Sequence, residues 1–189
     1  MTTEELKAFL EALTNYEKTA EIKTLARMTT NAFRLLLLTG ARRTEVLSAQ
    51  WKEIDFKAGV WTKPSSHTKQ KKVHRVPLSG PAMELLASMQ AEADDGVEYL
   101  FPARRGNGNH ISDPRQSWST IKKKAGLEDF RIHDLRHSFA SFLASSGQSL
   151  IVIGALLGHT QPATTARYAH LLDDPLRAAT DRVGSLMKS

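Results

Sequence analysis

Hydrophobic residues recur at helical spacing along most of the chain, and helix-capping residues stand where several of these stretches begin. A capping box formed by Thr2 and Glu5 predicts a first helix whose apolar face lies between residues 6 and 13. The next apolar stretch predicts a helix over residues 21–38, which Gly40 stops. A short helix over residues 42–49 is predicted to follow, so the chain opens with helices.

The pattern then changes, and short stretches rich in aromatic and β-branched residues predict three strands. These strands cover residues 51–56, 60–63 and 73–78. The sequence Lys-Ala-Gly at 57–59 predicts a turn between the first two strands, and the polar connection over residues 64–72 is longer. Together they predict a small three-stranded antiparallel sheet.

The rest of the chain returns to helical patterns. A capping residue followed by an early proline predicts helix starts at Ser79, Asp113 and Asp174. Helical spacing predicts further helices over residues 131–146, 149–158 and 162–172, and the Gly- and Asn-rich segment 103–112 predicts a mobile surface loop. We therefore expect one domain over residues 1–189, of the α+β class, mostly α-helical, with the sheet near its N-terminal side.

Composition narrows the functional classes. The 189 residues are 41% hydrophobic and 24% charged, which is typical of a globular protein and not of a disordered one. The net charge of +6 favours a nucleic acid or an anionic membrane surface as partner. The absence of cysteine excludes a disulfide framework, a cysteine-based zinc site and a cysteine nucleophile. The chain opens without a signal peptide, and its longest apolar stretch, at 150–158, is too short to span a bilayer.

The first polar cluster is Thr-Gly-Ala-Arg-Arg-Thr-Glu at 39–45. It places Arg42 at the start of the predicted short helix and Glu45 three residues later on the same face. A helix start presents unpaired N–H groups, and arginine offers a planar fork for two phosphate oxygens, so the segment suits an anion. The alternative is an ordinary surface ion pair between Arg42 and Glu45.

The second cluster is His-Asp-Leu-Arg-His at 133–137. His133 shares a helical face with Arg136, and a histidine beside an arginine suits donation to an oxyanion together with proton transfer. The string also resembles the zinc motif H-E-x-x-H, but Asp134 is one methylene shorter than the glutamate which that chemistry requires. His137 is interpreted either as a capping or core histidine or as part of the chemistry.

The third cluster is Leu-Gly-His at 157–159, followed nine residues after His159 by Tyr168. A tyrosine in an amphipathic helix is normally a half-buried core residue, and Tyr168 alone indicates no more than that. The order and spacing of all three clusters point to a catalytic site.

This ordered set resembles the catalytic domain of the tyrosine recombinases, also called phage integrases. The segments that carry the resemblance are T-G-A-R-R-T-E (39–45), H-T-K-Q-K-K (67–72), V-P-L-S (76–79), H-D-L-R-H-S (133–138), L-G-H (157–159) and A-R-Y-A-H (166–170). The resemblance as a whole spans about residues 30–175. The strings L-L-L-T-G-A-R and H-R-V-P-L-S are most similar to integrases of prophages and genomic islands.

The resemblance implies a role for each matching residue. Tyr168 would be the nucleophile that forms a 3′-phosphotyrosine. Arg42 and Arg136 would clamp the scissile phosphate. His133 and His159 would hydrogen-bond that phosphate, with His133 also able to accept the tyrosine proton.

Two further roles follow from the resemblance. Lys69, between the second and third strands, would be the general acid for the leaving 5′ oxygen, with Lys71 and Lys72 as neighbouring alternatives. Glu45 would orient the residues that touch the phosphate.

No cofactor and no metal are expected. Phosphoryl transfer needs charge neutralisation on the phosphate oxygens, and the two arginines, two histidines and one lysine of the implied site supply positive charge where other enzymes use Mg²⁺. A phosphotyrosine stores the energy of the phosphodiester bond, so rejoining needs no ATP.

Double-stranded DNA is the predicted partner. The basic residues expected to contact it are Arg43, Lys71, Lys72, Arg75, Lys122, Lys123 and Lys124. The alternative for the last three is a solvated helix face. The resemblance also implies that the full-length protein forms a homotetramer on DNA. This chain is expected to be a monomer on its own. The expected location is the bacterial cytoplasm, at the nucleoid and not at a membrane.

Members of the family usually carry an N-terminal core-binding domain, and many integrases add an arm-binding domain before it. This chain begins at the catalytic domain, and the sequence leaves open whether it is a fragment of a longer protein. Two alternative functions remain open: nicking and closing of DNA like a type IB topoisomerase, and DNA binding without catalysis.

Overall fold

The computed structural model describes residues 1–67, 72–103, 109–111 and 113–187. Three helices open the chain: α1 (Thr3–Thr19), α2 (Lys23–Thr39) and α3 (Arg43–Leu47). The strands β1 (Ile54–Asp55), β2 (Val60–Lys63) and β3 (His74–Pro77) follow. The helices after the sheet are α4 (Gly80–Ala91), α5 (Arg115–Lys124), α6 (Asp134–Ser145), α7 (Leu150–Leu157), α8 (Pro162–Ala166) and α9 (Asp173–Leu186).

Local capping explains where several helices begin. Thr2 and Glu5 form the predicted capping box of α1, and the Ser149 hydroxyl accepts a hydrogen bond from the backbone of Val152 at the start of α7. The helix predicted at Asp113 begins at Arg115, whose N–H donates to the Asp113 carboxylate at 3.1 Å.

The sheet is antiparallel with the order β1-β2-β3, as expected. Trp61 of β2 pairs with Ile54 on one side and with Val76 on the other. The first strand is much shorter than predicted, because residues 51–53 form one turn of 3₁₀ helix. The Trp61 indole N–H donates to the Glu53 carboxylate at 3.0 Å, which holds this turn against β2.

The prediction of a single helix over residues 162–172 is also wrong in one respect. Helix α8 ends at Ala166, a separate 3₁₀ turn covers Ala169–Leu172, and Tyr168 lies at the junction. Hydrogen bonds of 3.0 Å from the Tyr168 N–H to Thr165 and from the Leu171 N–H to Tyr168 tighten the chain here. The loop predicted at 103–112 lies mostly outside the described residues.

Two hydrophobic clusters form the core, and α6 belongs to both. The larger cluster joins α1, α2 and α5, and Leu135 brings the start of α6 into it. In the smaller cluster, Ala140 and Ala144 of α6 pack with α7 and with Tyr168. The polar residues at the start of α6 are therefore held between two packed regions, which fixes their position.

Helix α2 ends at Gly40, which has a left-handed backbone with φ of 60°. A Cβ at this position would lie 2.3 Å from Cδ1 of Phe139 on α6. Only glycine therefore allows the chain to turn this close to α6, and the turn delivers Arg42 to the start of α3.

Candidate active site

The buried guanidinium of Arg136 connects the loops that carry the other predicted site residues. Its Nη1 donates to the Gly40 carbonyl at 2.6 Å, and its Nη2 donates to the Leu157 carbonyl at 2.8 Å. Both carbonyls lie at helix C-termini, where the helix dipole favours a cation. Arg136 thus ties the segment before Arg42 to the segment before His159.

Positive charge accumulates around Arg136. Burial, followed by the charge of Arg42, lowers the pKa of Arg136 to about 10, while Glu45 and Tyr168 act in the opposite direction. At pH 7 the side chain is still fully charged. The guanidinium therefore holds a fixed positive charge in a site with little access to water, which suits stabilisation of an oxyanion.

Arg42 lies at the N-cap of α3 and is oriented by Glu45. Its Nη1 donates to Glu45 Oε1 at 2.7 Å, and its backbone N–H donates to Glu45 Oε2 at 3.1 Å. Glu45 is only 1% exposed, so this is not the surface ion pair considered as the alternative. The carboxylate instead fixes the position of the arginine from the protein interior.

Lys63 of β2 is a second partner of Glu45, which the sequence reasoning missed. Its Nζ donates to Glu45 Oε2 at 2.8 Å, and the lysine is 1% exposed. Its ammonium group also lies 4.7 Å from the centroid of the Trp61 ring. The available signal was strand alternation, since Lys63 shares the inward face of β2 with Trp61.

The pKa values of this pair follow from burial and charge. Burial acts to raise the pKa of Glu45, but the charge and hydrogen bond of Lys63, together with the hydrogen bonds of Arg42, lower it overall. Burial lowers the pKa of Lys63 in spite of Glu45, and the charges of Arg136 and Arg42 add to this effect. Glu45 is therefore ionised at neutral pH and balances part of the positive charge of the site.

Replacing Lys63 by Met is expected to lower the free energy of unfolding by about 3 kcal/mol, because the buried Glu45 carboxylate loses one of its two cationic partners. Urea unfolding followed by circular dichroism measures the change. The exposed Lys52 provides the control, since Lys52→Met removes the same charge where no buried partner is lost. Equal stability of the two variants would show that Glu45 does not need Lys63.

His159 follows the left-handed turn at Gly158, which ends α7. Its Nδ1 is hydrogen-bonded to the Thr165 hydroxyl at 2.8 Å. Burial, followed by the charges of Arg136, Arg42 and Arg167, lowers the pKa of His159 to about 4. The imidazole is therefore neutral at pH 7 and available as a hydrogen-bond donor.

A further contact holds the His159 loop against the sheet. Nε2 of His74, on β3, donates to the Ala155 carbonyl at 2.8 Å. A Cβ at Gly158 would lie 2.9 Å from the His74 ring, so β3 and the end of α7 approach closely. The contact fixes the position of the loop relative to Lys63 and β2.

Tyr168 lies at the end of α8, 6% exposed, with its ring in the smaller hydrophobic cluster. The Tyr168 hydroxyl is hydrogen-bonded to Nδ1 of His137 at 2.6 Å. Burial raises the pKa of Tyr168, and the charges of Arg167 and Arg136 offset part of this effect. The phenol is therefore protonated at neutral pH.

His137, which the sequence left open between a structural and a chemical role, thus contacts the predicted nucleophile. His133, at the N-cap of α6, packs edge-on against His137 with ring centroids 5.0 Å apart. Burial, followed by the charge of His137, lowers the pKa of His133. The spacing of four residues between these histidines was the available sequence signal.

Lys69 and Lys71 lie outside the described residues, so their predicted roles stay predictions. Lys72 and Arg75 are both exposed, at the entry to β3 and on it. They are close in sequence to His74, which contacts α7, so this end of the sheet is near the His159 loop.

The three predicted helix lysines lie in different surroundings. Lys122 lines a groove beside His133, and the other basic residues of the groove are Arg43, Arg115 and Arg131. Lys124 instead donates a hydrogen bond to Thr19 of α1 at 3.4 Å, and Lys123 is exposed. We call Arg43, Arg115, Lys122 and Arg131 the basic groove.

No group of three His, Cys, Asp or Glu side chains suited to a metal ion occurs among the described residues. In the same part of the chain, none of the helices has the length and hydrophobicity needed to cross a membrane.

Comparison with known proteins identifies similar sequences and a similar solved structure. The chain is 29% identical to the integrase of Salmonella phage P22 over 159 residues, which cover 79% of this chain and 41% of the phage protein. It is 34% identical to the prophage integrase IntA of Escherichia coli K12 over 128 residues, which cover 67% of this chain and 30% of IntA. The crystal structure of the XerH site-specific recombinase bound to a palindromic difH substrate superposes with a TM-score of 0.74 and 25% identity, covering 95% of this chain and 52% of XerH.

The chain therefore spans about half or less of the length of these proteins. The model of the phage integrase family matches residues 1–174, which is most of the chain and includes every predicted catalytic residue. The resemblance based on the sequence motifs is thereby confirmed, and the chain belongs to the phage integrase family.

Proposed function

We propose that this chain is the catalytic domain of a site-specific DNA recombinase, which cleaves and rejoins DNA through a covalent bond between Tyr168 and a 3′ phosphate. The observation that carries the proposal is the position of Arg136, whose buried guanidinium binds the loops of Arg42 and His159 together. Its pKa also responds to the charges of Arg42 and Tyr168, so these groups share one electrostatic environment.

In this proposal the phosphate binds between the cationic groups. Arg42 and Arg136 neutralise its non-bridging oxygens, and the neutral His159 and His133 donate hydrogen bonds to them. Tyr168 attacks the phosphorus, the 5′ oxygen leaves with a proton from Lys69, and reversal of the step rejoins the strand. Glu45 and Lys63 hold Arg42 in place and do not touch the phosphate.

The basic groove supports DNA as the substrate. It adjoins His133, so a duplex bound at the catalytic residues would continue along it. Arginine and lysine side chains in such a groove contact phosphates without reading the sequence. We propose that the protein carries out this function in the bacterial cytoplasm, on phage or other mobile DNA.

Helix α9 supports the proposal that the full-length protein acts as a homotetramer. It packs on the 3₁₀ turn at 169–172, and its apolar side chains are exposed: Leu176 by 61%, Val183 by 60% and Leu186 by 73%. Such a row of exposed apolar residues marks an interaction surface. A neighbouring copy on DNA is the partner that the proposal assigns to it, and the chain without DNA would be a monomer.

Trapping of a covalent complex tests the proposed function. The chain is incubated in EDTA with a pool of nicked duplexes whose sequence is randomised around the nick. Cleavage next to the nick releases a short strand that carries the 5′ hydroxyl, and loss of this strand prevents religation. A denaturing gel then shows the protein–DNA adduct, and peptide mass spectrometry maps the attachment site. An adduct on Tyr168 supports the proposal. Absence of any adduct, or attachment elsewhere, contradicts it.

A salt titration tests the basic groove. If about five basic side chains bind phosphates, log K should fall with log salt at a slope of about −4 to −5. The double change Arg43→Ala/Lys122→Ala should make this slope shallower by about 2, since each lost phosphate contact contributes about 0.9. Fluorescence anisotropy with a labelled duplex measures it.

The matched control removes two exposed lysines of α1. The change Lys7→Ala/Lys18→Ala has the same effect on net charge, but both lysines lie outside the groove. The slope of this variant should equal that of the wild type. Equal slopes for both double variants would remove the basic groove from the DNA-binding surface.

A further inference from the structure

The hydrogen bond between His137 and Tyr168 lies at the proposed reacting atom. Nδ1 of His137 and the phenolic oxygen of Tyr168 are 2.6 Å apart, which is within the distance needed for direct proton transfer. His137 is half-buried on α6, and both residues border the same open cavity. The Tyr168 ring is packed against α6 and α7, which holds its hydroxyl beside His137.

The charges around His137 favour its neutral form. Burial lowers the pKa of His137, the nearby charges of Arg167, Arg136 and Arg131 lower it further, and Asp134 acts in the opposite direction. His133 packs on its other side. A neutral imidazole with its proton on Nε2 carries a lone pair on Nδ1. In this tautomer the protonated phenol donates its O–H to that lone pair.

We propose that His137 is the general base of the cleavage step and accepts the proton of Tyr168. This inference rests on the proposed function, since it concerns the same nucleophile. The phenolic oxygen forms a bond to phosphorus, the bond from phosphorus to the 5′ oxygen breaks, and the phenolic proton passes to Nδ1 of His137. The 5′ oxygen takes a proton from the general acid. In the rejoining step, His137 returns its proton to the phenolic oxygen.

This assignment differs from the role that the family resemblance gave to His133. The ring nitrogen that contacts the phenol belongs to His137, whereas His133 is more exposed and contacts the His137 ring edge-on. His133 is therefore free to donate to the phosphate while its ring restrains the orientation of His137. The two tasks fall on different histidines.

The change His137→Asn tests the proposal. The asparagine amide occupies the place of Nδ1 and can keep a hydrogen bond to Tyr168, but it cannot take up a proton. We expect the single-turnover rate of adduct formation to fall by about a hundredfold or more, as for loss of a general base. The half-buried His110, which packs against Tyr99 and does not line this cavity, gives the control, and His110→Asn should cleave at the wild-type rate.

The pH profile separates a base from a residue that only positions Tyr168. The wild-type rate should fall as the pH drops through the pKa of His137, which lies below the usual 6.5, because protonation removes the acceptor. This acidic limb should be absent in His137→Asn. Site-specific 3,5-difluorotyrosine at position 168, whose phenol ionises more readily, should restore part of the rate of the variant. A variant with wild-type rate, or one that keeps the acidic limb and gains nothing from fluorination, overturns the proposal.

A measurement without DNA keeps this test independent of the proposed function. The ¹⁹F resonance of fluorotyrosine at position 168 should shift as His137 titrates in the free protein and should lose that transition in His137→Asn. If the wild type and His137→Asn form the adduct on Tyr168 at equal rates, the proposed function stands and the role of His137 as general base is refuted. Failure of the wild type to form any adduct would refute the proposed function, while the ¹⁹F titration would still report on the His137 contact.

Discussion

The change Tyr168→Phe is expected to abolish the covalent adduct and leave DNA affinity unchanged. The substitution removes the phenolic oxygen that would attack the phosphate, and the ring keeps its packing in the smaller hydrophobic cluster. Loss of the hydrogen bond to His137 should reduce the free energy of unfolding by only about 1 kcal/mol. Suicide-substrate trapping measures the adduct, and anisotropy measures affinity.

Tyr99 provides the matched control for this change. It is half-buried, its ring packs against His110, and it lies away from the catalytic residues. Tyr99→Phe should form the adduct at the wild-type rate. An adduct that persists in Tyr168→Phe would show that another group is the nucleophile, and it would remove the basis for a role of His137 as well.

The helices could be predicted well because their signals are local. The capping box at Thr2, the cap at Ser149 and the stop at Gly40 each depend on residues within one turn of the helix end. Strand β2 was also predicted with its observed bounds, from Val60 to Lys63. In these segments local preference and tertiary packing agree.

Two elements differ from the prediction because tertiary contacts determine them. The strand predicted from Trp51 begins only at Ile54, since Trp51 donates its backbone N–H to Glu98 in the connection after α4 and Glu53 binds the Trp61 indole. Strand propensity does not register such partners. The helix predicted around Tyr168 is broken, and the hydroxyl of Tyr168 bonds to His137 of α6, 31 residues earlier in the chain.

The motifs identified the residues of the candidate site but not how they are connected. Spacing placed Glu45 beside Arg42, because three residues separate them on a helix. It could not show that Lys63 completes this cluster, since that contact joins residues 18 apart in different elements. The same holds for Arg136, whose carbonyl partners at Gly40 and Leu157 lie at the C-terminal ends of two other helices.

The buried position of Arg136 makes it the most sensitive of the proposed phosphate ligands. We expect Arg136→Lys to slow adduct formation by about a hundredfold, the effect of losing one oriented donor at a developing oxyanion. The variant should also unfold more easily, by about 1–3 kcal/mol, because a single ammonium group cannot satisfy both buried carbonyls. Single-turnover trapping and urea unfolding give the two quantities.

The variant Arg42→Lys separates the effect on the cleavage rate from the effect on stability. Arg42 is only half-buried, and its carboxylate partner Glu45 keeps its bond to Lys63. Arg42→Lys should therefore slow cleavage to a similar extent, since lysine is a point donor without the planar fork, but cost less stability. The exposed Arg27, which pairs with the exposed Glu92, is the control, and Arg27→Lys should leave both quantities unchanged. Cleavage at the wild-type rate by both Arg136→Lys and Arg42→Lys would show that the arginines act only through their charge. Unchanged stability of Arg136→Lys would show that the two hydrogen bonds to carbonyls do not hold the loops together.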